Sequence, residues 1–241
     1  MERNAFIDLL YKAFEKNEMK DLLSERSANL LCDFANLIIE TNKHTNLTAI
    51  TDEEGIILKH FVDSAAVVGH IPENCSILDV GCGAGFPSVP IAILREDAQV
   101  TALDSTGKKI NFVLTAKEKL GLCNLDAICA RAEEYAENKR ESFDVCTSRA
   151  VARLNVLSEL CVPFVKVGGL FIAMKSEKGT DEASEAKCGI KKLGATPTET
   201  FLHKLALGGT EIDREIRIYK KTSQTPMQYP RKYAQIVKKP L

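Results

Sequence analysis

The sequence predicts an α/β fold, a mainly parallel sheet with helices on both faces, preceded by a small N-terminal helical cap. Three observations carry this. From Cys75 onward, short apolar runs alternate with amphipathic segments in the manner of βαβ units. The first of those runs ends in Asp79 and opens into Gly81, Gly83 and Gly85, as a strand, a glycine turn and a helix start. The first 45 residues carry helical periodicity instead.

In that leading segment, Phe6, Leu9, Leu10, Ala13 and Phe14 form one apolar stripe, and Leu30, Leu31, Phe34, Leu37 and Ile38 form another, with Ser24 and Ser27 as N-caps before the second. A polar loop and a further helix follow, ending at Pro72. Strands are expected at Ser76 to Val80, Gln99 to Asp104, Leu125 to Ala130, Phe143 to Ser148 and Gly169 to Lys175. Helices fill the gaps at Lys108 to Leu120 and Leu154 to Val165, with a polar one at Thr180 to Leu193. Thr198 to Lys204 and Glu215 to Lys221 make a final antiparallel pair around the Leu207-Gly208-Gly209 turn. The organisation expected is a cap over residues 1–72, a core over 73–222 and a basic tail over 223–241.

At 241 residues the chain suits one large α/β domain and an appendage. The N-terminus lacks the apolar core of a leader and no run reaches transmembrane length, which predicts a soluble, cytoplasmic protein with no membrane partner. The eight cysteines are scattered without C-x-x-C or histidine-rich spacing. Disulfides and a metal site are therefore not expected, and most of the cysteines read as small buried hydrophobes. Net charge is −1, yet from Ile216 onward there is no acid. Arg217, Lys220, Lys221, Arg231, Lys232, Lys238 and Lys239 alternate there with Tyr219, Tyr229 and Tyr233, which suits either phosphate contact with base stacking or a solvated tail packed on the domain.

Three alternate glycines remove the side chains that keep a ligand off the backbone, while the helix behind them points unpaired N–H groups at the same space. Asp104 closes the next apolar run, where an acceptor suits a ribose diol. A plain strand-to-helix connection needs one positive-φ glycine and no such acid. The spacing is G-x-G-x-G, not the G-x-G-x-x-G of a dinucleotide site, so by itself it specifies a ribose-bearing ligand. Asp79-Val80-Gly81-Cys82-Gly83-Ala84-Gly85 with Asp104 resembles the first two motifs of class I methyltransferases that use S-adenosylmethionine. That resemblance implies a Rossmann-like core with a seven-stranded sheet.

Ligands of open parallel sheets lie outside the carboxyl ends of the strands, so Asp79, Ser105, Arg131 to Glu134, Ser148 and Arg149 join the candidates, with Ala132 and Glu133 placed to meet an adenine edge. Glu133 also suits a plain helix start. Near Arg149 there is no Asp/Asn-Pro-Pro-aromatic run to orient an amine and no Pro-Cys pair to attack a pyrimidine, and Cys146 has no partner marking it as a nucleophile. This fits an acceptor with a free lone pair such as guanine N7, for which catalysis reduces to alignment. Arg149 is the candidate for that alignment, against a structural salt bridge.

NLTAI (46–50), KHFVDS (59–64), LDVGCGAGFPSVPIAI (78–93), LDSTGKKINFVL (103–114), RAEEY (131–135) and SRAVARLNVLSEL (148–160) together resemble the small-subunit ribosomal RNA methyltransferase G family, also called glucose-inhibited division protein B. The resemblance runs from about Asn36 into the C-terminus. It implies methyl transfer from S-adenosylmethionine to N7 of a guanine in 16S ribosomal RNA, within the small ribosomal subunit, by a bacterial enzyme. The sequence does not fix the oligomeric state, and a monomer is the expectation. It places cofactor contacts on Gly81, Phe86, Ala132, Glu133 and Arg149, with Asp104, Ser105 and Thr106 beside them; Gly83 joins them from the glycine turn itself. Relatives often carry Gly-Thr-Pro after YPRK, where this chain has Tyr233, Ala234 and Gln235. His60, Asp63 and Ser64 belong to the resemblance, either bordering the target base or, for Asp63, capping a helix or anchoring the N-terminal lid. A small-molecule methyltransferase and a non-catalytic ribosome-assembly factor are the competing readings.

Overall fold

The computed structural model describes residues 2–149, 152–176 and 180–241, with backbone alone at Thr180 and Asp181. Ala150 and Val151 of the SRAVARLN stretch lie outside the described residues. In chain order the elements are α1 (Arg3–Lys16), α2 (Glu25–Asn42), α3 (Glu53–Ile56), a π-helical stretch Ile57–Val62, α4 (Asp63–Ala65), β1 (Ser76–Val80), α5 (Ser88–Leu94), β2 (Gln99–Asp104), α6 (Gly107–Leu120), β3 (Leu125–Cys129), α7 (Ala132–Lys139), β4 (Phe143–Arg149), α8 (Leu154–Cys161), β5 (Val165–Ser176), α9 (Thr180–Lys192), β6 (Ala195–Leu207), β7 (Thr210–Lys221) and α10 (Tyr233–Lys238). The strand order is β3-β2-β1-β4-β5-β7-β6. Every neighbouring pair is parallel except those made by β7. Strand order reverses between β1 and β4, which opens a crevice at their carboxyl ends.

Alternation along the strands feeds two cores. Ile77, Val145 and Ile172 face the side covered by the N-terminal helices, α5 and α6. Leu78, Cys146 and Phe171 face α8 and α9. The N-terminal helices share the first core through linked aromatic rings, in which Phe61 meets Phe6 and Phe34, and Phe34 meets Phe86 and Phe112, at centroid separations of 5.4 to 6.5 Å. Helix α2 begins with a capping box, since Ser24 Oγ accepts from Ser27 N–H and Ser27 Oγ accepts from Ser24 N–H. Such caps stabilise a helix by about 1 kcal/mol.

Several boundaries differ from the sequence expectation. The helix expected to reach Val165 ends at Cys161 and tightens into a 3-10 turn, Val162–Phe164, because Pro163 has no N–H to donate. Strand β5 therefore begins at Val165 instead of Gly169. The β6–β7 hairpin extends past its apolar residues because the two strands pair along their length while much of β6 stays exposed. Five cysteines are buried as expected, but Cys123, Cys129 and Cys188 are exposed, in a turn, at the end of edge strand β3 and on α9. Among the described residues no helix is long and apolar enough to cross a membrane, and no group of three or more His, Cys, Asp or Glu is placed to hold a metal ion.

The acid-free C-terminus is largely committed to internal contacts. Lys221 is fully buried and donates to Glu141 (2.9 Å), and Arg217 pairs with Glu215. Arg231 makes a two-pronged bond to the fully buried Glu159 (Nε to Oε1 2.8 Å, Nη2 to Oε2 2.6 Å). Arg140 donates to the carbonyls of Thr225, Pro226 and Tyr229. Pairing with acids that lie earlier in the chain thus withdraws three cations from the expected phosphate-binding set. Lys220, Lys232, Lys238 and Lys239 remain exposed.

Candidate active site

The turn after β1 follows from its glycines. Gly81, Gly83 and Gly85 all have positive φ (77°, 59° and 88°), a region costly for other residues. Gly81 and Cys82 N–H groups both donate to Leu103 O at the end of β2. The three glycines do different work. A Cβ on Gly85 would meet Val89 at 2.6 Å, so that glycine lets α5 approach the strand, whereas a Cβ on Gly83 would meet nothing within 4 Å. Gly83 faces open space.

That space is a cavity of about 830 Å³ at the crevice, a size suited to a nucleotide-bearing ligand. Nine of the sequence-predicted site residues, Gly81, Gly83, Phe86, Asp104, Ser105, Thr106, Ala132, Glu133 and Arg149, line it. Ser148 does not, because its buried hydroxyl turns back into the sheet and donates to Val80 O at 2.6 Å. Asp104 accepts from Gly83 N–H (3.0 Å) and Thr106 N–H (2.8 Å), which ties the β1 turn to the β2 end. An ionised carboxylate has about four acceptor positions, so capacity for further bonds remains. Ala132 and Glu133 open α7. Phe86 is 4% exposed, and the His60 ring stacks on it at 4.1 Å and 11°.

Arg149 ends β4 and reaches back to the N-terminal segment. Its Nη1 donates to Lys59 O and to Asp63 Oδ2, both at 2.8 Å, its Nη2 meets His60 Nδ1 at 3.3 Å, and its guanidinium lies 5.3 Å from the Phe86 ring centroid. Arg214, from the distant β7, donates to the other oxygen of Asp63 at 2.9 Å. Asp63 is thus a buried clamp between two strands of the sheet. It sits inside a continuous helical run and caps nothing. His60 Nε2 meets Thr48 Oγ1 at 3.0 Å, so NLTAI and KHFVDS close one wall together. The π-helical stretch buries Ile57, Leu58, His60, Phe61 and Val62; such insertions often mark functional sites. Ser64 is buried beside this wall and does not line the cavity.

Sequence reasoning missed Arg214, Lys175, Glu182 and Tyr233 as cavity residues. Lys175 pairs with Glu182 at 2.8 Å. These side chains come from β5, α9, β7 and the tail, and no local spacing marks residues brought together by strand order.

Two buried groups give opposite pH signatures. Burial, and then the charge of Arg149, lowers the His60 pKa from 6.5 to about 3. The unfolded chain takes up that proton near 6.5, so the stability His60 contributes is lost as pH falls from 6.5 towards 3. Burial raises the Asp79 carboxyl from 3.8 to about 7. The native state keeps a proton the unfolded chain has released, so that contribution is present at low pH and lost as pH rises through 7. We expect His60→Gln, relative to the unaltered protein, to gain stability as pH falls from 6.5 to 3.8, and Asp79→Asn to lose it, read from urea midpoints. Parallel profiles for the two variants would contradict this assignment.

Comparison with known proteins agrees with the geometry. A family model described as rRNA small subunit methyltransferase G matches residues 27–207. A ribosomal RNA small subunit methyltransferase G of Clostridium botulinum (strain Eklund 17B / Type B) is 42% identical over 98% of this chain and 99% of its own. One from Staphylococcus carnosus is 44% identical over 94% of this chain and 96% of its own. Among solved structures, M. jannaschii TYW2 in complex with AdoMet superposes with a TM-score of 0.57 at 16% identity, over 72% of this chain and 79% of that one, a likeness of fold. With a match of this extent over a fold and crevice of this form, the chain belongs to the rRNA small subunit methyltransferase G family.

Proposed function

We propose that this protein transfers a methyl group from S-adenosylmethionine to N7 of a guanine in 16S ribosomal RNA, within the small ribosomal subunit. The observation that carries the reading is the single cavity into which a glycine turn, a strand-end carboxylate and an arginine all open. The residues fit the cofactor, because Gly83 leaves free volume beside the α5 start and Asp104 retains acceptor capacity for a ribose diol. Ala132 and Glu133 suit an adenine edge. The bound cofactor supplies an electrophilic methyl group.

Guanine N7 needs no deprotonation, since its lone pair is free and the product is a cation. The cavity is consistent with that economy. His60 meets Thr48 through one ring nitrogen and Arg149 through the other. Asp63 and Glu182 are held by Arg149, Arg214 and Lys175. What these residues do is orient, and fixing the reacting groups in line supplies on the order of 7 to 11 kcal/mol in the best cases. Lys59 lines the cavity and places positive charge where an RNA phosphate would pass.

The test supplies labelled S-adenosylmethionine to small ribosomal subunits lacking native methylation and locates the label by digestion and mass spectrometry. Label at guanine N7 is expected. Cofactor binding with no label in subunits or naked RNA would point to another acceptor.

A further inference from the structure

The C-terminal segment, which the sequence leaves open between phosphate contact with base stacking and a tail packed on the domain, packs on the domain and lines the cavity at Tyr233. Arg231 locks onto the buried Glu159 of α8 by three bonds, two from its side chain and one from its backbone N–H. Two residues further on, α10 begins at Tyr233. Its run Tyr-Ala-Gln-Ile-Val-Lys contains no glycine or proline, so it coils and buries Ile236 completely in a small apolar cluster with Val156 and Leu160. Ala132, at the start of α7, packs on the same cluster. The docked helix therefore holds Tyr233 against the cavity, which Tyr233 lines together with Arg131, Ala132, Glu133 and Leu160. The Arg131 guanidinium lies 5.9 Å from the Tyr233 ring centroid, and the ring remains 40% exposed.

We propose that Tyr233 is a cofactor-binding residue, its ring forming the wall against which the adenine of S-adenosylmethionine packs. The inference rests on the proposed function above and adds a contact from outside the motif-bearing core. An aromatic face suits a purine because every base has a π-face. Ala132 and Leu160 offer apolar surface beside it but no ring. The tail's anchor on Glu159 and Ile236 fixes this wall before any ligand arrives, which limits the ordering cost of binding.

The experiment measures affinity for S-adenosylhomocysteine and for 5′-methylthioadenosine, which keeps the adenosine and lacks the amino acid, by calorimetry on the full chain. Tyr233→Ala is expected to weaken both ligands by the same factor, about tenfold or more, the scale of an aromatic contact with a base. Tyr233→Phe should stay within about twofold of the unaltered protein, since the ring is what acts. The KM for ribosomal subunits at saturating cofactor should not move, and Lys238→Ala, on an exposed side chain of the same helix, should bind like the unaltered protein. A folded Tyr233→Ala that binds S-adenosylhomocysteine normally, a loss confined to the subunit KM, or a Phe variant as weak as Ala would overturn the assignment. If the unaltered protein binds neither ligand, the proposed function itself fails, and this wall with it.

Discussion

Gly83→Val is expected to eliminate usable cofactor binding, raising the dissociation constant by on the order of 100-fold or more, equivalent to about 2.7 kcal/mol. Two effects act together. The new side chain would project into the cavity, since nothing lies within 4 Å of its first carbon. A β-branched residue would also be forced to a φ of 59°, at a cost to the fold of about 1–3 kcal/mol. Calorimetric titration with S-adenosylhomocysteine beside a thermal melt separates the two. Gly83→Ala carries the backbone strain with far less bulk, so most of the binding loss should be specific to valine. Unchanged affinity in a folded Gly83→Val would show that the cofactor does not approach this turn. Gly85→Val should behave differently, since its Cβ would strike Val89 and disturb the packing of α5.

Arg149→Ala is expected to leave a folded protein whose methyl transfer is reduced by about 100-fold, the penalty typical of misplacing reactants by an ångström. Retention of the fold follows from Asp63, which keeps Arg214 at 2.9 Å after Arg149 is lost. Loss of turnover follows from position, because Arg149 is the cavity residue that joins β4 to His60, Lys59 and Asp63 while lying over Phe86. The measurement is single-turnover methyl transfer with saturating cofactor and small subunits, alongside the cofactor affinity. A fall in turnover larger than the change in affinity identifies alignment. Near-normal turnover would leave Arg149 as a structural tie between the sheet and the N-terminal segment. Asp63→Ala supplies the complementary comparison, since it strands two partly buried guanidinium groups and should cost stability as well as rate.

The glycine-turn end of the cavity was legible in the sequence because its parts are local. Gly81, Gly83 and Phe86 lie in one turn, Ala132 and Glu133 open one helix, and strands β1 and β2 begin and end where their apolar runs do. Period-2 burial and positive-φ glycines are short-range demands of the backbone, and a sequence states them directly. The sequence left the tail open between phosphate contact and packing on the domain because the acids that neutralise it, Glu141, Glu159 and Glu215, lie before its acid-free stretch begins at Ile216. A charge run viewed alone looks unpaired when its partners belong to other elements.

The sequence by itself determined the α/β order, the glycine turn, the acid at the end of the second strand and the family. Only the tertiary structure decided the far wall of the cavity. Asp63 meets Arg149 across 86 positions and Arg214 across 151, and Tyr233 reaches the cavity because Arg231 finds Glu159 across 72. Strand order, through the placement of β7 beside β5, brings those groups together, and strand order is set by the packing of the whole sheet instead of by any window of residues.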